Sequence, residues 1–255
     1  MPDEFKSQTS YLDFSCSVVK WRYIRSLDDE AFLRQVAATA EKRIEEIPAG
    51  STLWRAQIGC NILEAVHDCV EMPLDASRMK PPAHWRTVGQ SSEGRTNPKG
   101  IPFLYTATNQ RLAISEVKPS PGDFVTVAEV RTNKALRIVN VTTDGEEIRN
   151  IIYLKEPEGP ERELAIWRDI DRAFSAPVAR SADRADYAST QILAELFRKN
   201  GLDGIAYRSA FGTGHNIALF DPDAADIVTC QLCTVTGIDV TYSTTGSARA
   251  ANQGA

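Results

Sequence analysis

Apolar residues recur at helical spacing in two stretches of this chain and gather in short runs through most of the rest. Ala31, Phe32, Val36, Ala37, Ala40 and Ile44 share one face of a helix predicted from about residue 27 to 46. Ser26-Leu27-Asp28-Asp29 opens it as a capping box with acidic residues in the first turn, and Pro48-Ala49-Gly50 ends it. Ile192, Leu193, Leu196 and Phe197 mark a second helix over 189–200, with Gly201 as its stop. Thr52–Ala56, Phe103–Thr106, Phe124–Val130, Leu136–Val141, Gly204–Tyr207 and Ile217–Phe220 read as strands. Asn109 is placed to cap a short helix reaching Glu116, which Pro119 and Pro121-Gly122 close. Residues 144–153 and 161–174 read as helices separated by Pro157-Glu158-Gly159-Pro160.

This order predicts an α+β protein with a mixed β core and flanking helices. Residues 1–50 form an N-terminal helical arm, 51–236 the main domain, and 237–255 a weakly ordered tail rich in Ser, Thr, Gly and Ala. At 255 residues the chain is long enough for one generous core. A net charge of −5 argues against direct binding of a nucleic-acid backbone. The first residues lack a basic start followed by an apolar core, and no apolar run reaches the roughly 18 residues of a membrane span. Five cysteines without framework spacing suit a reducing compartment, so a cytoplasmic location is expected.

Several chemistries lack their residues. There are three histidines, no Gly-x-Ser-x-Gly, and no Gly-x-Gly-x-x-Gly after an early strand. Gly212-Thr213-Gly214-His215-Asn216 lacks the Gly-Lys-Ser/Thr ending of a phosphate loop. Cys230-x-x-Cys233 has no second ligand pair, so buried thiols are expected and no metal.

What stands out is Arg95 to Tyr105 with Ala113-Ile114-Ser115-Glu116 close behind: a cation, a turn, an aromatic hydroxyl and a helix-end carboxylate. Such a set can hold a diphosphate, stack a flat ring and stabilise a cationic sugar carbon. Joined to Leu53-Trp54-Arg55-Ala56, Gly94-Arg95-Thr96-Asn97, Gly100…Leu104-Tyr105 and Tyr207-Arg208-Ser209…Gly214-His215-Asn216…Leu219-Phe220, it resembles the RES domain family over roughly residues 51–221. The resemblance implies a fold like that of ADP-ribosyltransferase toxins and NAD+ as substrate, cleaved at its nicotinamide–ribose bond by a glycohydrolase or phosphorylase. It also implies a toxin role in a bacterial toxin–antitoxin pair, with an Xre-like antitoxin as partner. Relatives that transfer ADP-ribose to a protein keep mono-ADP-ribosyltransferase as an alternative, and a non-catalytic interaction module is a third. Whether the arm joins copies into a homo-oligomer stays open.

Within that resemblance Glu116 and Arg55 are the candidate catalytic residues, and Arg95, Tyr105, Ser209 and Asn216 the substrate-binding ones. A carboxylate stabilises the positive charge that builds on the sugar when the bond breaks. Arg55 and Arg95 offer forks for diphosphate oxygens, and Arg55 could also orient Glu116 through a buried ion pair. Tyr105 offers a ring face and a hydroxyl, while Arg208 and His215 read as structural or rim residues. Thr96 stands where many relatives have an aromatic residue, at one wall of the expected pocket.

Overall fold

The apolar runs become strands of one large sheet, and the periodic segments become helices laid on it. The computed structural model describes residues 4–21, 23–64, 69–81, 92–143, 156–176 and 187–240. In chain order the described elements are α1 (Ser10–Lys20), α2 (Leu27–Ala40), β1 (Ile44–Ile47), β2 (Thr52–Ile58), β3 (Asn61–Glu64), β4 (Cys69–Met72), α3 (Ala76–Met79) and β5 (Leu104–Ala107). They continue as α4 (Gln110–Glu116), β6 (Phe124–Thr132), β7 (Leu136–Asn140), α5 (Gly159–Ser175), α6 (Ala188–Lys199), β8 (Gly204–Arg208), β9 (His215–Leu219) and β10 (Ala225–Thr234). Strand order in the main sheet is β1-β7-β8-β9-β5-β2-β6-β10, with β3 and β4 as a separate hairpin. Only β7 and β8 run parallel, and the helices α5 and α6 lie in the crossover between them.

The sheet opens at one seam. β2 keeps register with β6 from Thr52 to Ile58, but meets β5 at a single pair, Trp54 with Ala107. On the far side β5 stays paired with β9 through all four of its residues, Leu104 to Ala107. Two leaves therefore diverge from the Trp54–Ala107 contact.

Burial follows the leaves. Val36, Trp167, Ile170, Phe174, Leu193 and Phe197 form a helical layer against Val139, Ile205 and Ala218 of the β7-β8-β9 leaf. Leu53, Leu104, Val130, Ile138 and Leu219 join the two leaves in a second cluster. Leu112 and Ala113 of α4 pack on Ala56, Val125 and Val127. Fully burying side chains of this size stabilises by about 1.5–3 kcal/mol each.

The helix expected to run to residue 46 stops at Ala40, and a single 3-10 turn leads into strand β1. Ile44 to Ile47 pairs with Val139 to Leu136, and Glu45 accepts a hydrogen bond from Asn140 Nδ2 at 2.7 Å. Pairing with an exposed backbone edge overrides the helical stripe there. The capping box forms as expected: Ser26 Oγ accepts from the Asp29 amide at 3.1 Å, and Asp29 accepts from the Ser26 amide at 3.0 Å. α1 buries Tyr11, Phe14 and Val18 on one face, while the β3–β4 hairpin and β10 carry no clean period in sequence. The helix expected over 144–153 and most of the 237–255 tail lie outside the described residues. No described helix is long and apolar enough to cross a membrane.

Candidate active site

Helix α4 delivers the carboxylate. Asn109 caps it, its Oδ1 accepting from the Leu112 amide at 2.8 Å, and Glu116 is the last helical residue. A carboxylate at a helix C-terminus opposes the macrodipole, so it needs donors of its own. Glu116 has two: Ser209 Oγ at 2.5 Å and Asn216 Nδ2 at 2.6 Å, both on Oε1. Ser209 Oγ in turn accepts from the Phe211 amide at 2.9 Å, so its proton is directed at Glu116. The second carboxylate oxygen, Oε2, receives no hydrogen bond from the described residues.

Arg55 sits in the seam between the leaves. Its Nη1 donates to the Tyr105 carbonyl at 2.9 Å, where a β2–β5 ladder would otherwise continue. Its Nε is buried without a partner. Arg55 and Glu116 form no ion pair, so the expected orienting salt bridge is absent, and Ser209 and Asn216 do that work instead. Burial pushes the Arg55 guanidinium below its ordinary value, with the Tyr105 phenol opposing the shift. A buried cation without a carboxylate is expensive and fits a site for an anion.

Tyr105 does not offer its hydroxyl to the cavity. The oxygen donates to Asn97 Oδ1 at 2.5 Å, and the Thr96 amide and hydroxyl bond it at 3.2 and 2.6 Å. Burial raises its pKa, and the Thr96 bonds pull the other way. Thr96 is fully buried beneath the tyrosine, so the position that is aromatic in many relatives is a hydrogen-bonding support here. Asn97 was not singled out by sequence; its Nδ2 reaches the carbonyls of Ser92, Pro98 and Ile101, which fixes the turn. The Asn97-Pro98 pair was the available signal.

Gly94 must remain a glycine for this arrangement. A Cβ there would lie 2.4 Å from the Tyr105 hydroxyl and 2.6 Å from Asn97 Oδ1, two groups held by each other. Gly94→Ala is expected to cost about 1–3 kcal/mol, the usual range for overpacking, read as a lower urea midpoint with unchanged slope.

Arg95 spends its fork on protein. Nη1 and Nη2 donate to the carbonyls of Phe174 and Ala176 at the end of α5, a favourable place for a cation. Helix α6 holds the turn from behind: Thr190 Oγ1 donates to the Arg95 carbonyl at 2.7 Å, and Gln191 Nε2 to the Gly94 carbonyl at 3.0 Å. Arg208 is locked against the fully buried Asp171, with Nη2 to Oδ2 at 2.7 Å and Nε to Oδ1 at 3.3 Å. Thr143 and Ser175 satisfy the remaining acceptor sites of Asp171. Asp171→Ala should therefore destabilise by about 3–5 kcal/mol, as for a broken buried pair, measured by chemical unfolding.

These groups surround one cavity of about 760 Å³, lined among others by Arg55, Arg95, Tyr105, Glu116, Arg208 and Asn216. The volume falls within the roughly 300–1,000 Å³ of small-molecule sites. Lys118 also lines it, so among the described residues four cations face a single carboxylate in a protein of net charge −5. Ser209 reaches the site through Glu116, and His215 lies outside the lining. The cysteines differ from expectation in burial: none is fully buried, and Cys230 and Cys233 lie on edge strand β10. Spaced three apart in a strand, those two point to opposite faces.

The family comparison agrees with the sequence motifs. The family model described as RES domain matches residues 68–241, a span that leaves Arg55 just outside. No curated protein matches the chain. A chain in the crystal structure of the M. tuberculosis MbcT–MbcA toxin–antitoxin complex is similar at 14% identity, covering 78% of this chain and 92% of that one, with a TM-score of 0.41. Since the family model matches well over half of its length, the chain belongs to the RES domain family.

Proposed function

We propose that this protein consumes NAD+ by breaking its nicotinamide–ribose bond. One observation carries the reading: a single cavity holds a carboxylate with one oxygen fixed by two donors and, in the seam between the leaves, a buried guanidinium with no acidic partner. Loss of nicotinamide leaves positive charge on the ribose carbon, and Glu116 Oε2 is the group free to face it. Because Ser209 and Asn216 fix Oε1 beforehand, little reorganisation is needed when that charge develops. Arg55 supplies uncompensated positive charge for the diphosphate, and Arg95 adds a second cation at the wall. Family membership supports a toxin role with an Xre-like antitoxin partner, acting in the cytoplasm.

Purified protein free of any antitoxin, incubated with NAD+, should release nicotinamide. Chromatography of the sugar product with and without phosphate identifies the acceptor as water or phosphate, and label retained on an added protein fraction would mark a transferase instead. No turnover in any of these conditions rejects the reading.

A further inference from the structure

Tyr207 entered the sequence reading only within the stretch Tyr207-Arg208-Ser209, with no role of its own, yet like Arg55 it is a cavity-lining group whose hydrogen bonding the fold leaves incomplete. It is the fourth residue of β8 and pairs across the sheet with Asn216, the residue that holds Glu116. Asn216 pairs in turn with Ala107, and Tyr105 lies two residues before Ala107 on the same strand. The period-2 alternation of strands puts Tyr105, Tyr207 and Asn216 on one face.

The ring of Tyr207 is 8% exposed and packs against Phe174, with centroids 6.0 Å apart. Its hydroxyl has no hydrogen-bond partner among the described residues, in contrast to Tyr105, whose hydroxyl has three. It is also absent from the sealed, unsatisfied polar atoms, which among the described residues are Gln8 Oε1, Arg25 Nε and Arg55 Nε, so the oxygen opens onto the cavity its residue lines. A buried phenol left unpaired costs free energy, and native proteins retain such a group where something else completes it.

We infer that Tyr207 is a substrate-binding residue, its hydroxyl donating a hydrogen bond to a sugar or phosphate-ester oxygen of the dinucleotide between Glu116 and Arg95. The inference rests on the NAD+ reading above. Three neighbours act on it electrostatically: Tyr105, Glu116 and Arg95. Glu116 is the group assigned to the ribose and Arg95 a cation assigned to the diphosphate side. Burial first, and the nearby Tyr105 and Glu116 second, hold its pKa far above the ordinary phenol value, so at neutral pH it is a neutral donor. Such a donor suits an ester or hydroxyl oxygen.

The test is Tyr207→Phe, which removes one oxygen and keeps the ring on Phe174. Three quantities are read: melting temperature without ligand, the rise in melting temperature at saturating NAD+, and kcat/KM for nicotinamide release. The expected result is a melting temperature equal to or above wild type, since no protein partner is lost. The NAD+-induced rise should shrink, and kcat/KM should fall about tenfold, the worth of one hydrogen bond to a ligand. A variant that cleaves NAD+ as wild type does and gains the same stabilisation overturns the inference. A ligand-free melting temperature several degrees lower also overturns it, because the hydroxyl would then be serving the fold. Failure of the NAD+ reading shows elsewhere, in wild type that neither releases nicotinamide nor is stabilised by NAD+, and that result removes the inference with it.

Discussion

Glu116→Gln should lower kcat for nicotinamide release by about 10²–10³-fold, the loss seen when one group aimed at developing charge is removed. Glutamine keeps the shape and can still accept from Asn216 Nδ2, so the melting temperature should stay within a few degrees of wild type. KM should change little, because the missing interaction belongs to the transition state rather than to bound NAD+. The contrast with Ser209→Ala sharpens this. That change leaves the carboxylate in place with one donor fewer, so a smaller loss is expected. If Glu116→Gln turned over NAD+ at the wild-type rate, the carboxylate would have no part in the chemistry.

Arg55→Lys should have the second largest effect, and in the other kinetic constant. Lysine preserves charge but not the planar fork, and it cannot hold the Tyr105 carbonyl while presenting a second edge to a diphosphate. KM for NAD+ should rise about 100-fold, equivalent to about 2.7 kcal/mol, with kcat falling less. Removing the cation altogether, as Arg55→Met, separates binding from folding: it takes an uncompensated buried charge out of the seam while exposing the Tyr105 carbonyl, so stability moves little and binding collapses. Isothermal titration with NAD+ on Glu116→Gln and on Arg55→Lys reads the two roles apart, with affinity kept in the first and lost in the second.

The sequence made some of this legible and hid the rest for physical reasons. Helices α2 and α4 showed through their caps Ser26 and Asn109, α5 through the Gly159-Pro160 break at its start, and α6 through its apolar face and the Gly201 stop. β10 was hidden because Asp226, Thr229, Cys230, Gln231 and Cys233 give an edge strand no alternation to read. β1 was hidden because Ile44 continues a helical stripe that only its pairing with β7 interrupts. In the site, the family resemblance pointed to Arg55, Arg95, Tyr105, Glu116, Ser209 and Asn216, and the cavity lining gathers all of them but Ser209. Their partners were not legible. Which oxygen Arg55 takes depends on where β2 leaves β5, and whether Tyr105 faces ligand or protein depends on the Asn97 turn beneath it. Tyr207 stood in the Tyr207-Arg208-Ser209 stretch without a role because an aromatic inside a strand reads as core, and its free hydroxyl is a fact of packing alone.

The pairing of β5 with β9 has a consequence for when the site is complete. Arg55 leaves the ribosome early, Glu116 midway, and Ser209 and Asn216 near the end of the described chain. Until β9 docks on β5, Glu116 lacks both of its donors and the Arg55 cation has half a wall around it. A nascent or truncated chain lacking β9 thus carries every charged group of the site without the Asn216 donor that holds Glu116.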